Sequence, residues 1–320
     1  MKTIYVIDTK LLMYLEHHRG NDTHNIFSDL AMNLEQFGKG KIYFAYDAPE
    51  GSKRRKDIFP EYKANRKDRE KKMSKVEIRQ FREFKREYLA YKHILPKFGN
   101  ILYLQGWEAD DFANLVSQKF AGKEGVEVIL VSSDRDWSMN LTAPNIKLFH
   151  WGRKLLIYNQ AQVKDVFKLY TNEALEAQVF AGISKENVEG IKNFGPSRFL
   201  ETVDVNTMSK SEKLMAVQKV LDLRATKAQV ANNTGKWGTK LPERFNTLEE
   251  MYDFNYELLR PVVMGDLSPQ EVREFVRQFQ VPAATSPVHS VVGAFAEINQ
   301  VYMPSFDVLN FFNITIPEYD

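Results

Sequence analysis

Acidic side chains follow three of the most apolar stretches of this chain, at the points where those stretches end. They are Asp8 after TIYVI, Asp47 after KIYFAY, and Asp134 with Asp136 after VEVILVSS. A separate EADD group adds three more carboxylates, Glu108, Asp110 and Asp111. Oxygen donors without clustered histidine or cysteine favour Mg²⁺ or Mn²⁺ over zinc. The pattern therefore predicts a metal-dependent enzyme that cleaves phosphodiesters.

The apolar stretches at 3–7, 41–46 and 126–132 have the length and composition of buried parallel strands. Helices predicted over about 21–37, 76–95 and 108–121 separate them, and this alternation indicates a mostly parallel α/β sheet. We expect another short strand at 100–104 and a hairpin over 147–158 with WGRK as its turn. Ligands of such sheets bind beyond the carboxyl ends of the strands, so one site could gather these distant carboxylates.

Each acidic group also has a simpler interpretation. In EADD, Glu108 and Asp111 share a helix face, but acidic residues in a first turn also simply cap a helix. Asp134 and Asp136 would project to one side of an extended strand end, although Asp is common in any turn. The metal hypothesis depends on their conjunction, because seven carboxylates gathered together would repel one another without cations.

Composition excludes several classes of protein. The 320 residues contain no cysteine, which removes disulfides, thiolate zinc sites and cysteine nucleophiles. Hydrophobic residues at 43% and charged residues at 27% are typical of a globular protein. Because the chain enters a strand-like TIYVID with no long apolar segment, we expect neither a signal peptide nor a membrane span, and a cytoplasmic location.

Positive charge is concentrated in one region. The net charge is only +2, yet 53–86 contains fifteen Lys or Arg against six Asp or Glu. Its first part, KRRKDIFPEYKANRKDREKK (53–72, the basic segment), would ordinarily be a solvated helix. Phe59 and Tyr62 alternate with Lys63 and Arg66, however, and phosphates attract cations while unpaired bases stack on flat rings. The segment, broken by Pro60, is predicted to form an exposed arch or loop over the active site.

A second motif, AGISKENVEGIKNFGPSRF (181–199), predicts a tight hairpin between two helices. Gly190, Asn193 and Gly195 have suitable spacing, since Asn tolerates positive φ. Pro196 is suited to begin a helix whose first turn presents backbone N–H groups. Such a hairpin can clamp a DNA backbone, with side-chain contacts from Ser197 and Arg198. An ordinary connection between helices is the alternative.

The C-terminal half has a helical pattern. Helices are predicted over 172–182, 196–203, 209–222, 247–259 and 268–279. The apolar residues from Ser290 onwards are expected to pack back on the body. Within them, SFDVLNFF (305–312) is either a core helix or a peptide that docks on a sliding clamp.

Taken in order, these residues resemble the 5′-nuclease family, which includes flap endonucleases and 5′→3′ exonucleases, and most of all its bacteriophage members. The resemblance covers about residues 1–200 and rests on Asp8, Asp47 with the following basic stretch ending in YKANR (62–66), GWEADD (106–111), VSSDRDW (131–137) and GPSR (195–198).

This resemblance implies a PIN-like catalytic domain over 1–170 with a helical arch at about 50–90. A helix–three-turn–helix DNA-binding region would cover 171–285, followed by an extension over 286–320. It implies two Mg²⁺ or Mn²⁺ ions, the first near Asp8, Asp47, Glu108, Asp110 and Asp111 and the second near Asp134 and Asp136. Tyr62, Lys63 and Arg66 would be the catalytic residues of the arch. The DNA-binding residues would be Arg54, Arg55, Lys63, Arg66, Gly190, Asn193, Gly195, Ser197 and Arg198, with a monovalent cation at the hairpin.

One departure from the family concerns the second cation. The family pattern G-D-x-x-D-N is replaced here by GISKEN, so Ile183 stands at one carboxylate position and Glu186 at the other, beside Lys185. Glu186 is a candidate ligand, and we expect the second cation to bind more weakly or with an altered geometry.

The expected activity is two-metal hydrolysis near the 5′ end of branched or nicked duplex DNA, including 5′ flaps and RNA primers in RNA–DNA hybrids. The expected partners are that DNA, a sliding clamp and a single-strand binding protein, with a monomeric enzyme and no membrane. Two alternatives are a degenerate member that binds junctions without cutting and an RNA-directed nuclease on the same scaffold.

Overall fold

The structure, a computed structural model, describes residues 1–18, 25–48, 51–230, 241–280, 286–297 and 304–315; of residues 67, 69, 224–230, 287 and 306 it describes the backbone alone. Its main sheet has six strands: β1 Lys2–Asp8, β2 Gly40–Ala45, β3 Asn100–Leu102, β4 Val126–Ser132, β5 Ile146–His150 and β6 Leu155–Ile157. Their order is β3-β2-β1-β4-β5-β6, and only β6 is antiparallel to its neighbour. This confirms the mostly parallel sheet predicted from the sequence.

The register of β1 aligns the carboxyl ends of the three longest strands. Asp8 lies opposite Ala45 of β2, and Ile7 lies opposite Val131 of β4. The chain reverses direction across the sheet at β1, going outward through β2 and β3 and then returning to β4 on the other side. Such a switch point opens a crevice at the carboxyl edge, where ligands of open α/β sheets bind.

Fourteen α-helices accompany the strands in the described residues. They are α1 Thr9–His18, α2 Asn25–Leu34, α3 Lys53–Ile58, α4 Asn65–Lys72, α5 Lys75–Ile94, α6 Ala109–Phe120, α7 Gln160–Phe167, α8 Thr171–Ala181, α9 Pro196–Thr202, α10 Lys210–Val230, α11 Leu248–Leu259, α12 Pro269–Gln280, α13 Val288–Glu297 and α14 Phe306–Phe311. The boundaries predicted for α5, α6, α8, α9, α11 and α12 agree to within one or two residues. The first four residues of the helix predicted over 21–37 lie outside the described part of the chain.

Three short pairings complete the strands. The predicted hairpin at 147–158 is present as β5 and β6, and Lys154 completes its turn in the left-handed region, with φ 51°. Two-stranded pairs are formed by β7 Gly182–Ile183 with β8 Val188–Glu189, and by β9 Ser286–Pro287 with β10 Ile314–Thr315. No helix in the described ranges is long and apolar enough to cross a bilayer.

The chain divides by its contacts into two units whose limits differ from the expected domains. Unit 1 comprises 1–53, 73–162 and 262–320, and unit 2 comprises 54–72 and 163–261. Most of the basic segment thus belongs with the helical residues 163–261, and α12 to α14 belong with the sheet. The reason is that each of these terminal helices buries apolar side chains within unit 1, among them Phe275, Phe295 and Phe311.

The core of unit 1 includes the C-terminal tail. Val308, Phe311 and Phe312 are each no more than 2% exposed and join the cluster that lines one face of the sheet. The ring of Phe312 lies 5.1 Å from that of Phe98 and 5.9 Å from that of Phe27, in edge-to-face arrangements. Of the two interpretations of 305–312, the structure therefore favours core packing.

We expect Phe312→Ala to lower the free energy of unfolding by about 3–5 kcal/mol, the usual cost of emptying a phenylalanine site in a core. Met32→Ala, at a residue of α2 that is 69% exposed, is the matched control. Guanidinium denaturation followed by fluorescence measures both. If Phe312→Ala cost no more than the control, the tail would not be part of the core.

In unit 2 the hairpin that follows α8 depends on two glycines. A Cβ on Gly190 would lie 2.1 Å from the backbone of Ala181 and of Gly182, and Gly182 itself has φ 70°. Side chains are excluded at the first position and strained at the second. The glycine spacing read from the sequence thus reflects close backbone packing where the hairpin leaves α8.

Candidate active site

The seven predicted carboxylates all belong to unit 1, and they reach the carboxyl edge of the sheet from different elements. Asp8 ends β1, Asp47 follows β2, Asp134 and Asp136 follow β4, and Glu108, Asp110 and Asp111 begin α6. The backbone therefore places the Cα atoms of these residues at one edge of the sheet, as the sequence predicted.

Asp8 is the most buried of the strand-end carboxylates, at 6% exposed. Its two oxygens accept hydrogen bonds from the N–H of Leu11, at 3.1 Å, and the hydroxyl of Ser132, at 2.8 Å. The pKa of Asp8 is raised to about 7, chiefly by burial and further by the charges of Asp47 and Asp134. Since the pKa in the fold exceeds the ordinary 3.8, ionising Asp8 costs stability as the pH rises from 3.8 to about 7.

Asp110 is surrounded by other acidic groups. Its Oδ1 accepts a hydrogen bond from the indole Nε1–H of the buried Trp137, at 2.6 Å. Burial raises its pKa well above the ordinary range, and so do the negative charges of four neighbours, Asp134, Asp8, Glu108 and Asp136. These neighbours come from β1, β4 and α6, so the side chains converge as well as the strand ends.

Asp47 links β2 to two partners. One oxygen accepts the N–H of Ala109 at 2.8 Å, in the first turn of α6, and the other accepts the ammonium of Lys10 at 2.7 Å. The contact with α6 suits the positive end of the helix dipole. The ammonium of Lys10 thus forms an ion pair with one member of the acidic cluster.

Two expectations about the acidic groups are corrected by the structure. Asp111 is 2% exposed and accepts the N–H of Glu108 at 2.9 Å, the contact of a helix cap, so the simpler interpretation applies to this residue. Asp134 and Asp136 are not on an extended strand end. Asp134 caps a short 3₁₀ helix, Arg135–Asn140, by accepting the N–H of Asp136 at 3.0 Å.

The donor chemistry of the cluster fits a hard divalent cation, because it offers carboxylate oxygens whose mutual repulsion such a cation would relieve. Across the described residues, however, no three or more His, Asp or Glu side chains have their donor atoms placed to hold a metal ion. The oxygens of Asp8, Asp47 and Asp110 point instead at N–H, hydroxyl and ammonium groups of the protein. A carboxylate oxygen that accepts one hydrogen bond still has a lone pair for a cation, so these contacts do not prevent metal binding.

Three residues that hold the cluster were missed by the sequence reasoning. Lys10 pairs with Asp47, Trp137 fixes Asp110, and the hydroxyl of Ser132 donates to Asp8 while accepting the N–H of Asp134 at 3.0 Å. Ser132 and Trp137 both lie within VSSDRDW, next to the predicted ligands. Their position next to Asp134 and Asp136 could have marked them as part of the site. No feature of the sequence around Lys10 indicates its contact with Asp47.

We expect Asp110→Asn to raise the Tm of the metal-free protein at pH 8, because the amide keeps the oxygen that Trp137 binds and removes a charge from a crowded site. A gain of about 1 kcal/mol would correspond to about 2 °C in a chain of this size. The gain should shrink as the pH falls toward 3.8, because the raised pKa of Asp110 means that its carboxyl group takes up a proton in the folded protein before it does so in the unfolded chain.

Mg²⁺ provides the second readout of this experiment. It should raise the Tm of the wild type and of the control Glu124→Gln, an exposed residue outside the cluster, and raise that of Asp110→Asn less. A wild type whose Tm does not respond to Mg²⁺ or Mn²⁺ would contradict cation binding at this site.

In unit 2 the basic segment is more buried than expected. It forms α3 and α4 with a turn between them, and Phe59 and Tyr62 are only 8% and 4% exposed. Both rings pack in a cluster with Val188, Leu258 and Leu259. The expectation that these rings offer stacking faces to bases is therefore wrong, because the surrounding apolar residues cover them.

Glu186 is held by the basic segment. Its carboxylate accepts the hydroxyl of Tyr62 at 2.5 Å and lies 3.6 Å from the ammonium of Lys63 and 3.8 Å from the guanidinium of Arg66. Ile183, at the other departing position, packs against the apolar cluster that contains Tyr62. Ile183 and Glu186 thus both contact either the basic segment or the apolar cluster in which Phe59 and Tyr62 are buried.

Two arginines of the basic segment are engaged inside unit 2. Arg54 binds the carbonyl and the carboxylate of Glu257, at 3.0 and 2.7 Å, and Arg55 is 8% exposed. Their contact with DNA stays a prediction, and the burial of Arg55 argues against it.

The hairpin after α8 has the predicted geometry. Asn193 adopts φ 61°, and Pro196 occupies the first turn of α9. Gly195 and Ser197 are exposed. Arg198 binds the carbonyl of Asn193 at 2.8 Å, which braces the turn.

A cleft of about 1130 Å³ lies along this hairpin, lined by residues 187–195 and 241–244 among others. Two basic residues absent from the predicted set line it. Lys192 is exposed, and Arg244 stacks on the rings of Phe59, Phe245 and Phe254 while pairing with Glu189 at 3.5 Å.

Comparison with known proteins identifies the family to which this chain belongs. The model of the 5′–3′ exonuclease, N-terminal resolvase-like domain, matches residues 3–168, more than half of the sequence, and the chain belongs to this family. No curated protein sequence matches the chain.

Solved structures of similar fold include several from bacteriophage T5. They include its 5′-exonuclease with bound zinc, at 18% identity and a TM-score of 0.53, and its flap endonuclease in a pseudo-enzyme–product complex with DNA and metal ions, at 14% and 0.52. Each alignment covers 98% of this chain and 97% of the other. The likeness extends over both units and confirms the PIN-like fold.

Proposed function

We propose that this protein is a divalent-metal-dependent 5′-nuclease that hydrolyses phosphodiesters near the 5′ end of branched or nicked duplex DNA. The substrates would include 5′ flaps and RNA primers in RNA–DNA hybrids. The observation that carries the proposal is the convergence of Asp8, Asp110 and Asp134 at one sheet edge, where the charge of Asp134 raises the pKa of both Asp8 and Asp110. Family membership and the metal-bound relatives of similar fold support it.

In this proposal Asp8, Asp47, Glu108 and Asp110 hold one cation and Asp134 and Asp136 hold a second. Such cations, when bound, lower the pKa of a water molecule and offset charge on the scissile phosphate. Asp111 keeps its structural contact with Glu108 and serves the site by fixing the start of α6. Trp137 and Ser132 limit the orientations of Asp110 and Asp8, which preorganises the carboxylates.

Unit 2 supplies the contacts to DNA. The hairpin from Gly190 to Arg198 would hold the backbone of the duplex beside the cleft, with a monovalent cation at the turn. Lys63 and Arg66 would act on substrate phosphates, for which a compact ammonium and a forked guanidinium are suited.

Asp134→Asn should reduce cleavage of a labelled 5′-flap substrate in Mg²⁺ by about 100-fold or more, the scale of losing one charged group from a preorganised site. Asparagine retains the oxygen that accepts the N–H of Asp136, so the 3₁₀ helix should persist, which circular dichroism checks. Glu124→Gln should cut at the wild-type rate. Undiminished cleavage by Asp134→Asn would refute the metal role of this residue.

Lys192→Ala should weaken duplex binding and reduce the slope of log Kd against log salt concentration by about 1, since one phosphate contact is lost. Lys39→Ala removes an equally exposed charge from unit 1 and should leave the slope unchanged. Fluorescence anisotropy at several salt concentrations gives both slopes. Equal slopes for the wild type and both variants would exclude the hairpin cleft as the duplex site.

A second candidate function is supported by unit 2. Ile183 offers no oxygen ligand, and Glu186 is paired with cations, so this chain could bind branched DNA without cutting it. Tight flap binding without cleavage in Mg²⁺ or Mn²⁺ would establish that alternative. Competition between RNA and DNA flaps in one reaction tests the RNA-directed alternative.

A further inference from the structure

The basic segment docks on a single turn of unit 2, Ser184–Asn187, through several polar contacts. Two amide side chains frame the contact: Asn187 donates to the carbonyl of Glu61 at 3.0 Å, and Asn65 donates to the carbonyl of Ser184. Between them the N–H of Lys63 donates to the carbonyl of Glu186 at 2.8 Å. The contacts therefore fix the backbone immediately around Lys63 and the start of α4.

The backbone itself shows that this docking is specific. Lys63 has φ 61° and Asn187 has φ 62°, both in the left-handed region that residues other than glycine seldom occupy. Such conformations persist only when the surrounding contacts determine them. Here the N–H of Lys63 is bound and its neighbours on either side are anchored, so the contacts select the conformation.

Apolar packing supports the same arrangement. The ring of Tyr62 is buried with Phe59, Val188, Leu258 and Leu259, and Ile183 packs against that cluster. An aspartate at 183 would bring a charge to this apolar surface, at a cost in desolvation. Isoleucine at 183 therefore favours a docked basic segment.

Glu186 supplies the charged part of the contact. Its short hydrogen bond is to the hydroxyl of Tyr62, at 2.5 Å, whereas Lys63 and Arg66 lie at 3.6 and 3.8 Å. These longer distances are those of ion pairs rather than hydrogen bonds. Glu186 thus forms a hydrogen bond with Tyr62 and weaker ion pairs with Lys63 and Arg66.

We propose that Glu186 is a positioning residue that seats the basic segment on the 184–187 turn and thereby places Lys63 and Arg66 for the substrate, and that it is not a ligand of a second cation. The inference rests on the proposed nuclease activity and gives a different role to a residue for which the resemblance implied metal binding. Tyr62 acts with it as the residue through which the segment is held.

The test compares Glu186→Gln, Glu186→Ala and Tyr62→Phe in flap cleavage under single-turnover conditions. Glutamine keeps an oxygen for the hydroxyl of Tyr62, so Glu186→Gln should retain most of the rate. Glu186→Ala should lower the rate at saturating enzyme by ~10- to 100-fold, the range expected for a misplaced group, and Tyr62→Phe should lower it in the same direction. Affinity for the flap should change little.

Two readouts without turnover separate positioning from metal binding. Trypsin should cut after Lys63 and Arg66 faster in Glu186→Ala than in the wild type. The number of Mn²⁺ ions bound, measured by electron paramagnetic resonance, should be the same in all three variants. Asp165→Asn, which removes an exposed carboxylate elsewhere in unit 2, should match the wild type in every assay.

A metal ligand would give the opposite pattern. Glu186→Gln and Glu186→Ala would then be equally impaired, both would lose bound Mn²⁺, and Tyr62→Phe would be silent; that result would overturn the inference. Lys63→Ala distinguishes it from the proposed function. If the wild type cuts and Lys63→Ala is slow, but Glu186→Ala and Tyr62→Phe cut normally, only the positioning role fails. If the wild type does not cut flaps at all, the proposed function fails.

Discussion

Mutual repulsion of carboxylates at the carboxyl edge of one sheet is the constraint on which the rest of unit 1 depends. Asp110 lies near the charges of four other acidic residues, and Asp8 is almost wholly buried. A fold does not retain such a site for its own stability, since each ionisation there is opposed by burial and by neighbouring charge. The parallel register of β1 with β2 and β4 imposes this convergence, and the hydrogen bonds from Leu11, Ser132 and Trp137 only moderate it.

The protein meets that repulsion in part with its own groups. Lys10 supplies a positive charge to Asp47, and Asp111 is diverted into a helix cap. These contacts explain why the oxygens are not gathered as a ready cage, although the donor set suits a hard cation. In a low-dielectric setting any available N–H, hydroxyl or ammonium becomes a partner for a crowded carboxylate.

In unit 2, the structure accounts for the two residues that depart from the family pattern. Ile183 and Glu186 stand where the family pattern has two aspartates. Ile183 packs against the apolar cluster that contains Tyr62, and Glu186 binds the hydroxyl of Tyr62. The basic segment is consequently a docked element with buried aromatic rings. Charge and aromatic content alone suggested an exposed loop, because composition does not reveal which side of a short helix is covered.

The sequence alone was enough to predict the main parallel strands, several of the longer helices and the edge of the sheet at which the acidic residues collect. Apolar runs ending in Asp8, Asp47 and Ser132 specify parallel strands, and the glycine spacing at 182–195 specifies the hairpin, because both signals are local and backbone geometry fixes their consequences. Only the tertiary structure decided the long-range partners: Trp137 bound Asp110, Tyr62 turned inward to Glu186, and the tail joined the core of unit 1. Those contacts join side chains far apart in sequence, by 27 residues for Trp137 and Asp110 and by 124 for Tyr62 and Glu186, and no local pattern encodes their proximity.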